Sequence, residues 1–271
     1  MGAEIQAMNC DLCGNADSIP LPQEPRIHVC KECGFIYVPE RRSAREVAQD
    51  WSRIYREEIY DPSWSGVQAR LWYVTEWYDQ NFGWAGKSCL DIGAGWGTFL
   101  RFIRERGAHP VGLEPFDGNV QVIKSHDIAC WHGTVEDCGP IGTYDVISIL
   151  WTLENTADCM AMLRFAREHL NPDGHLIVAT GSRILVPFKK RLSDYLPGPD
   201  REVDTHCYRW SRGSLNHALA KSRFCPHAWN DCDQNDVMAV VAGPVDYDMQ
   251  PATDDPQDIL DFFNIWEETF P

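Results

Sequence analysis

The sequence predicts an α/β protein in which a small cysteine-rich module precedes a mostly parallel sheet with helices on both faces. Three observations support this prediction. Strand-like and helix-like segments alternate after Gly86, three glycines separate an apolar strand from a helix in LDIGAGWGTFL (90–100), and four cysteines near the amino end form two close pairs. The 271 residues suffice for one such domain with a small appendage.

Composition and charge restrict the function classes. Hydrophobic residues make up 44% and charged residues 24% of the chain, as in ordinary globular proteins. The net charge of −16 disfavours RNA or DNA as a partner, because a polyanion would be repelled. Apolar runs are too short to span a bilayer, and the amino end lacks the pattern of a signal peptide. We therefore expect a cytoplasmic protein without a membrane partner.

The amino-terminal module, residues 1–42, contains a C-x2-C-x16-C-x2-C pattern in which a glycine follows each pair. The four cysteines are Cys10, Cys13, Cys30 and Cys33. Four soft thiolates suit tetrahedral zinc, and a closed set leaves no position for substrate, so we predict a structural zinc site. A catalytic or redox zinc is the competing interpretation, and His28 is an alternative ligand.

Residues 43–84 form an aromatic-rich connector. Apolar residues recur at three and four positions between Val67 and Phe82, which predicts a helix with one buried face. Most of the aromatic rings in this connector are expected in the core. The alternative is that a few of these rings line a ligand pocket.

The main domain, residues 85–243, is predicted from alternating segments. Strands are expected at 87–92, 109–114, 128–131, 144–150, 175–180, 224–229 and 235–243. Helices are expected at 96–107, 116–127, 157–170 and 211–224, the last with Ser211 as N-cap. An irregular segment, 181–213, is expected to cover the site as a lid. Ligands of such sheets bind beyond the carboxyl ends of the strands.

The carboxy-terminal residues 244–271 are acidic and end in a short apolar helix. Phe262, Phe263, Ile265 and Trp266 must be covered, either by this chain or by another copy. A homodimer through this helix is therefore one expectation.

The glycine loop indicates the ligand. Gly93, Gly95 and Gly97 are followed by Thr98 where the dinucleotide fingerprint has its third glycine, which disfavours NAD. Glu114 ends the next strand, where a carboxylate accepts hydrogen bonds from ribose hydroxyls. The expected ligand thus carries a ribose.

Residues 86–180 resemble a class I S-adenosylmethionine-dependent methyltransferase. LDIGAGWGTFL resembles the donor-binding loop of that family, and VGLEP, GTVEDC, YDVISILWTLENT and HLNPDGHLIVAT resemble its next four segments in the same order. The resemblance implies a Rossmann-like, seven-stranded, mostly parallel sheet.

The resemblance also implies site residues. Asp91 and the glycine backbone would hold the methionine part of S-adenosylmethionine, and Glu114 its ribose. Val135 and Glu136 would contact the adenine. Leu150 and Trp151 would lie where the methyl group faces its acceptor.

The cysteine module together with DTHCYRWSRGSL (204–215) resembles sugar methyltransferases of antibiotic and surface-polysaccharide pathways, over residues 10–225. The implied acceptor is a small molecule such as a nucleotide-linked sugar. Two departures from that family count against C-methylation and leave O-methylation as an equal alternative. Glu154-Asn155 stands where such proteins often have Glu-His, and their long carboxy-terminal domain has no counterpart here.

Acceptor activation requires a base. His206 is the candidate, with Tyr208 as its hydrogen-bonding partner, and simple packing under the lid is the alternative for both. Lys189, Lys190 and Arg191 are candidates for binding an acceptor phosphate, or they are merely solvated.

Two rival functions are considered. RNA base methyltransferases also join a zinc module to this domain, but their zinc spacing differs and their substrate favours a basic surface. A noncatalytic methyltransferase-like scaffold would not need the glycine loop and Glu114.

Overall fold

A computed structural model describes residues 6–56, 65–139, 141–181, 191–192, 206–231, 237–250 and 253–269. Their strands form a seven-stranded sheet, a four-stranded sheet and a two-stranded ribbon. None of the helices in these ranges is long and apolar enough to cross a membrane.

The amino-terminal module consists of short strands. They are β1 (Gln6–Ala7), β2 (Ser18–Leu21), β3 (Glu24–Cys30), β4 (Ile36–Tyr37) and β5 (Glu40–Arg41). Two helices follow, α1 (Ala44–Arg56) and α2 (Ser65–Phe82), which confirms the helix predicted from the periodicity of the connector.

The central domain alternates strands and helices. Its strands are β6 (Ser88–Ile92), β7 (His109–Glu114), β8 (Ala129–His132), β9 (Tyr144–Leu150), β10 (Leu170–Gly181), β12 (Phe224–Trp229) and β13 (Val237–Pro244), and the short β11 (Tyr208–Arg209) lies between β10 and β12 in the chain. Its helices are α3 (Thr98–Glu105), α4 (Asp117–Ser125), α5 (Cys159–His169) and α6 (Arg212–Lys221).

The central sheet has the order β12-β13-β10-β9-β6-β7-β8. The pairs among β6 to β10 are parallel, and β13 is antiparallel to both of its neighbours. Its middle strands are almost fully buried, as expected when helices cover both faces. The predicted seven-stranded, mostly parallel, Rossmann-like sheet is confirmed.

The predicted N-cap of α6 is also confirmed. Ser211 accepts a hydrogen bond from the backbone N–H of Ser214 at 2.8 Å, and the Ser214 hydroxyl accepts one from the backbone N–H of Ser211. This reciprocal pair fixes the chain direction directly after β11.

The amino-terminal sheet contains a strand that the sequence assigned to the lid. Its order is β11-β4-β3-β2, and Tyr208 pairs with Tyr37 in antiparallel register. The end of the 181–213 segment is therefore part of the amino-terminal sheet. Residues 182–190 and 193–205 of the expected lid lie outside the described residues.

The carboxy-terminal helix α7 (Pro256–Thr269) packs on the amino-terminal sheet. Ile259, Phe263 and Trp266 are buried in one cluster with residues of β3 and β4. Of the four residues that we expected to need covering, this chain buries Phe263 and Trp266 and partly buries Phe262, whereas Ile265 is 52% exposed. The homodimer stays a prediction, and burial of Phe263 and Trp266 within the chain weakens its physical reason.

Candidate functional site

A cavity of about 640 Å³ lies beyond the carboxyl ends of β6, β7, β9 and β10. The glycine loop forms one side. Residues of α1 and α2 and the 206–210 segment form the opposite side. The cavity is therefore lined by the central sheet, the connector helices and a strand of the amino-terminal sheet.

Glu114 is at the centre of the half formed by the glycine loop, which we call the donor half. Its side chain is 4% exposed. Its carboxylate accepts hydrogen bonds from the backbone N–H of Gly95 at 2.8 Å and of Phe116 at 2.9 Å. Burial raises the pKa of Glu114 to about 7, because these hydrogen bonds offset only part of the cost of removing the charge from water.

Asp91 lies at the end of β6 and also lines the cavity. The Ser148 hydroxyl donates to its Oδ1 at 2.6 Å. Burial is the main cause that raises the pKa of Asp91 to about 7, and the charge of Glu114 adds to it. Two carboxyl groups therefore titrate near neutral pH in this half of the cavity.

The first glycine is required by close packing. Gly93 has a φ of +76°, and a Cβ there would lie 2.5 Å from the side chain of Thr152. Gly93 and Gly95 line the cavity, whereas Gly97 directly precedes α3 and packs against the Ile123 side chain. Bare backbone is thus exposed to a ligand at the first two glycines.

The remaining residues expected at the donor line the same cavity. They are Val135, Glu136, Leu150 and Trp151. Trp151 has a φ of +51°, an unusual conformation for a bulky residue, which is held by a hydrogen bond of 2.7 Å from its N–H to the Ala179 carbonyl.

The opposite half, which we call the acceptor half, is rich in aromatic and apolar side chains. Trp51 and Val47 come from α1, Leu71 from α2, and Trp210 from the chain after β11. The sequence indicated only, as an alternative, that a few aromatic rings of the connector line a pocket. It did not identify Trp210, since β11 joins the amino-terminal sheet through long-range pairing.

Buried polar atoms without hydrogen-bond partners in the described parts of the chain concentrate at this cavity. They include Trp151 Nε1, Glu154 Oε2, Asn155 Oδ1, Thr180 Oγ1 and Trp210 Nε1. Such atoms cost free energy unless a ligand or water satisfies them. The cavity therefore favours a ligand with several hydrogen-bonding groups.

Glu154 was not among the predicted site residues. It lies in the turn Leu153–Asn155 after β9 and is only 7% exposed. Burial is the main cause that raises its pKa. Its position after the fourth strand of the domain is the signal that could have identified it, since ligands bind at the carboxyl ends of such strands.

The two predicted catalytic residues both line the cavity, in different settings. His206 is half-buried at the start of the 206–210 segment. Tyr208 is fully buried, and its hydroxyl oxygen lies 3.0 Å from Asp11 Oδ1 and 2.8 Å from the Ala157 carbonyl oxygen. The Tyr208 hydroxyl is thus engaged by the protein itself, and its role beside His206 stays a prediction.

Of the three residues predicted to bind phosphate, the structure describes only Arg191. Arg191 is exposed and does not line the cavity. Lys189 and Lys190 lie outside the described residues.

The four cysteines of the amino-terminal module converge. Their sulfur atoms all lie within 4.8 Å of one another. Cys10 Sγ is 3.6 Å from Cys33 Sγ, and Cys13 Sγ is 3.4 Å from Cys30 Sγ. His28 instead bonds to the Ser18 hydroxyl at 2.8 Å, so it is not part of this group.

Comparisons with a family model and with curated proteins both give methyltransferases. A family described as "Methyltransferase domain" matches residues 72–224. The ubiquinone biosynthesis O-methyltransferase of Azorhizobium caulinodans is 33% identical over 134 residues, which are 44% of this chain and 53% of that protein. That of Marinobacter nauticus is 31% identical over 124 residues, 42% of this chain and 50% of that protein. The chain spans about half the length of these relatives.

Solved structures share the fold. Magnesium protoporphyrin IX methyltransferase from Synechocystis PCC 6803, solved with SAH, has a TM-score of 0.57 at 14% identity and covers 74% of this chain and 98% of its own. Mitomycin 7-O-methyltransferase has a TM-score of 0.57 at 20% identity and covers 75% of this chain and 61% of its own. At these identities the likeness supports the fold alone.

Proposed function

Because the chain belongs to the methyltransferase domain family, we propose that it transfers a methyl group from S-adenosylmethionine to a hydroxyl oxygen of a small polyhydroxylated molecule, such as a sugar or a nucleotide-linked sugar. The observation that carries the acceptor class is the cluster, in an aromatic cavity, of polar atoms that have no hydrogen-bond partner in the described part of the chain. Indole rings pack on the faces of sugars, while carboxylate and amide groups bind their hydroxyls.

The donor half supplies the groups that an adenosyl amino acid needs. Glu114 has a carboxylate at the end of β7 for ribose hydroxyls, and the backbone at Gly93 and Gly95 permits close approach of the methionine part. When bound, the donor supplies a methyl carbon on a sulfonium; the acceptor oxygen bonds to this carbon as the carbon–sulfur bond breaks.

The protein then positions the acceptor and removes its proton. His206 is the residue that we assign to take the hydroxyl proton, because it lines the acceptor half and imidazole is the side chain that most often acts as a general base. Glu154 and Asn155 orient the acceptor through the oxygen atoms that have no partner among the described residues.

A phenolic acceptor is the second candidate. It is favoured by the name of the relatives, O-methyltransferases of ubiquinone biosynthesis, and by apolar residues such as Val47, Leu71 and Met162 in the cavity wall. An apolar ring would leave more of the polar atoms unsatisfied than a sugar would, so we rank it second.

The test has two steps. Calorimetry with S-adenosylhomocysteine should give binding at one site per chain, and its absence would favour the scaffold over the enzyme. A screen by mass spectrometry with S-adenosylmethionine then offers nucleotide sugars, free sugars, catechols and short RNAs. A gain of one methyl group on a sugar supports the proposal, whereas a gain on a catechol alone or on RNA alone contradicts the acceptor class.

We further propose that the cysteine cluster binds one structural zinc ion. With Zn–S bonds of about 2.3 Å, tetrahedral sulfur atoms stand about 3.8 Å apart, close to the observed 3.4 and 3.6 Å. Elemental analysis of the purified protein should give one zinc per chain, and Cys33→Ser should lose it. The control Cys225→Ser, at a half-buried cysteine outside the cluster, should retain the metal.

A further inference from the structure

An ion pair inside the amino-terminal module contacts the rest of the chain through its arginine. The Arg41 guanidinium donates from Nη1 to Asp11 Oδ1 at 3.1 Å and from Nη2 to Asp11 Oδ2 at 2.9 Å. The two side chains are 3% and 5% exposed. This is a bidentate, buried pair, the arrangement that fixes the orientation of both groups most strictly.

The pair extends to the wall of the cavity. Arg41 Nη1 also donates to the Ala157 carbonyl at 2.8 Å and to the Tyr208 hydroxyl. The backbone N–H of Cys159 donates to the same hydroxyl at 3.3 Å. Ala157 and Tyr208 line the cavity, so the ion pair is one step removed from any bound acceptor.

The 206–210 segment depends on the amino-terminal module for its shape. Its β11 pairs with β4, and the N–H of Val38 donates to the Cys207 carbonyl at 2.9 Å. The Phe35 ring stacks on Tyr208 with a centroid distance of 5.6 Å and contacts Trp210 at 4.9 Å. The segment that carries His206 is thus held in part by the module that contains the cysteine cluster.

We propose that Arg41 and Asp11 are positioning residues, which act through Tyr208 and Ala157 to hold the 206–210 segment in the orientation that acceptor binding requires. The consequence for acceptors rests on the proposed function. Asp11 stands between Cys10 and Cys13, so the same pair links the geometry of the cysteine cluster to the acceptor half.

A buried ion pair is a poor source of net stability, because desolvation of the charges offsets their attraction. Its directional hydrogen bonds distinguish it from an apolar contact of similar size. Replacement of both residues by apolar ones should therefore preserve folding and still release the segment. Replacement of only one residue should disturb both folding and the segment, because the remaining charge is then buried without its partner.

The experiment compares Asp11→Asn, the double variant Asp11→Leu with Arg41→Met, and the control Asp246→Asn. Asp246 also pairs with an arginine, Arg167, at 3.0 Å, but on the surface at 98% exposure. Measurements are zinc content, thermal unfolding, affinity for S-adenosylhomocysteine, kinetics with the acceptor found by the screen, and amide hydrogen exchange of residues 206–210 and Cys159.

We expect the double variant to unfold near the wild-type temperature with its zinc retained. Its acceptor KM should rise about tenfold, donor affinity should change less than about twofold, and exchange in 206–210 and at Cys159 should be about tenfold faster, as expected for the loss of charged hydrogen bonds. Asp11→Asn should unfold at a lower temperature than the wild type, and it should also raise the acceptor KM more than it weakens donor affinity. The control should match the wild type.

Unchanged exchange in 206–210 in the double variant would overturn the proposal, as would a parallel loss of donor and acceptor affinity. Failure of the proposed function gives a different result. In that case the wild type would not bind S-adenosylhomocysteine, while the exchange data would still report whether the ion pair holds the segment.

Discussion

The backbone N–H of Gly95 donates to Glu114 Oε2 at 2.8 Å, so the glycine loop after β6 is fixed by the carboxylate that ends β7. Two neighbouring parallel strands thus contribute to one ligand surface. The same carboxylate that orients the loop faces the cavity. Loss of its charge should therefore affect the loop and the ligand together.

Glu114→Gln should weaken S-adenosylhomocysteine binding about 10- to 100-fold, the range for loss of a charged hydrogen-bond acceptor. Calorimetry measures this. Glu105→Gln, at an exposed position at the end of α3, is the matched control and should bind as the wild type does. Equal affinity in all three proteins would remove Glu114 from the donor site.

Donor affinity should fall as pH decreases. Burial raises the pKa of Glu114 and of Asp91 to about 7, so both carboxyl groups are ionised above that value and protonated below it. A protonated carboxyl accepts hydrogen bonds from the donor less well than a carboxylate does. Affinity should therefore fall progressively between pH 8 and 6, by about tenfold for each group that must ionise. Binding that is flat across this interval would contradict the prediction.

The same shifts have the opposite sign for stability. A carboxyl whose pKa is higher in the folded state than in the unfolded state binds its proton more tightly when folded. Near pH 7 and above, the ionised groups therefore reduce the free energy of unfolding. This cost disappears as pH falls through about 7 towards the unfolded pKa values near 4.

Gly93→Ala should abolish donor binding, because its Cβ would lie 2.5 Å from Thr152. Gly86 is a matched control with the same φ of +76° and nothing within 4 Å of its Cβ. In both variants the left-handed conformation should cost about 1 to 2 kcal/mol of stability, measured by urea unfolding, and Gly93→Ala should lose more because of its contact with Thr152. Only Gly93→Ala should also lose S-adenosylhomocysteine binding. If the two variants bind alike, packing at Thr152 does not shape the site.

His206→Gln should lower turnover about 10²- to 10⁴-fold, as expected for loss of a general base, with donor affinity unchanged. The control His109→Gln changes an exposed histidine at the start of β7, the end of the strand away from the cavity. Steady-state kinetics with the acceptor identified by the screen separate the two. Wild-type turnover in His206→Gln would leave the residue with a packing role only.

Trp266→Ala should destabilise the protein by about 3 to 5 kcal/mol, because this side chain is 1% exposed and packs on the amino-terminal sheet. Its neighbour Ile265 is 52% exposed, and Ile265→Ala should change stability by less than about 0.5 kcal/mol. Urea unfolding measures both, and light scattering reports the mass. A Trp266→Ala protein of normal stability but reduced mass would instead indicate that α7 forms an interface between copies.

The sequence by itself determined the central sheet and the residues of the donor half. Alternating apolar strands and amphipathic helices predict a mostly parallel sheet. The residues that line the cavity lie at the carboxyl ends of its strands, as do Asp91 in β6 and Glu114 in β7. These features are local, since strand, turn and helix follow one another within a few residues. The paired cysteines are local in the same sense.

Only the tertiary structure decided the acceptor half and the fate of the tail. β11 pairs with β4, which lies about 170 residues earlier in the chain, and α7 covers β3 and β4 from the other end of the sequence. A two-residue strand has too short a pattern to predict its partner, and an apolar helix face does not specify what covers it. Trp210 and the ion pair between Arg41 and Asp11 reach the cavity wall through these long-range contacts. The hydrophobic periodicity of the sequence does not predict such contacts.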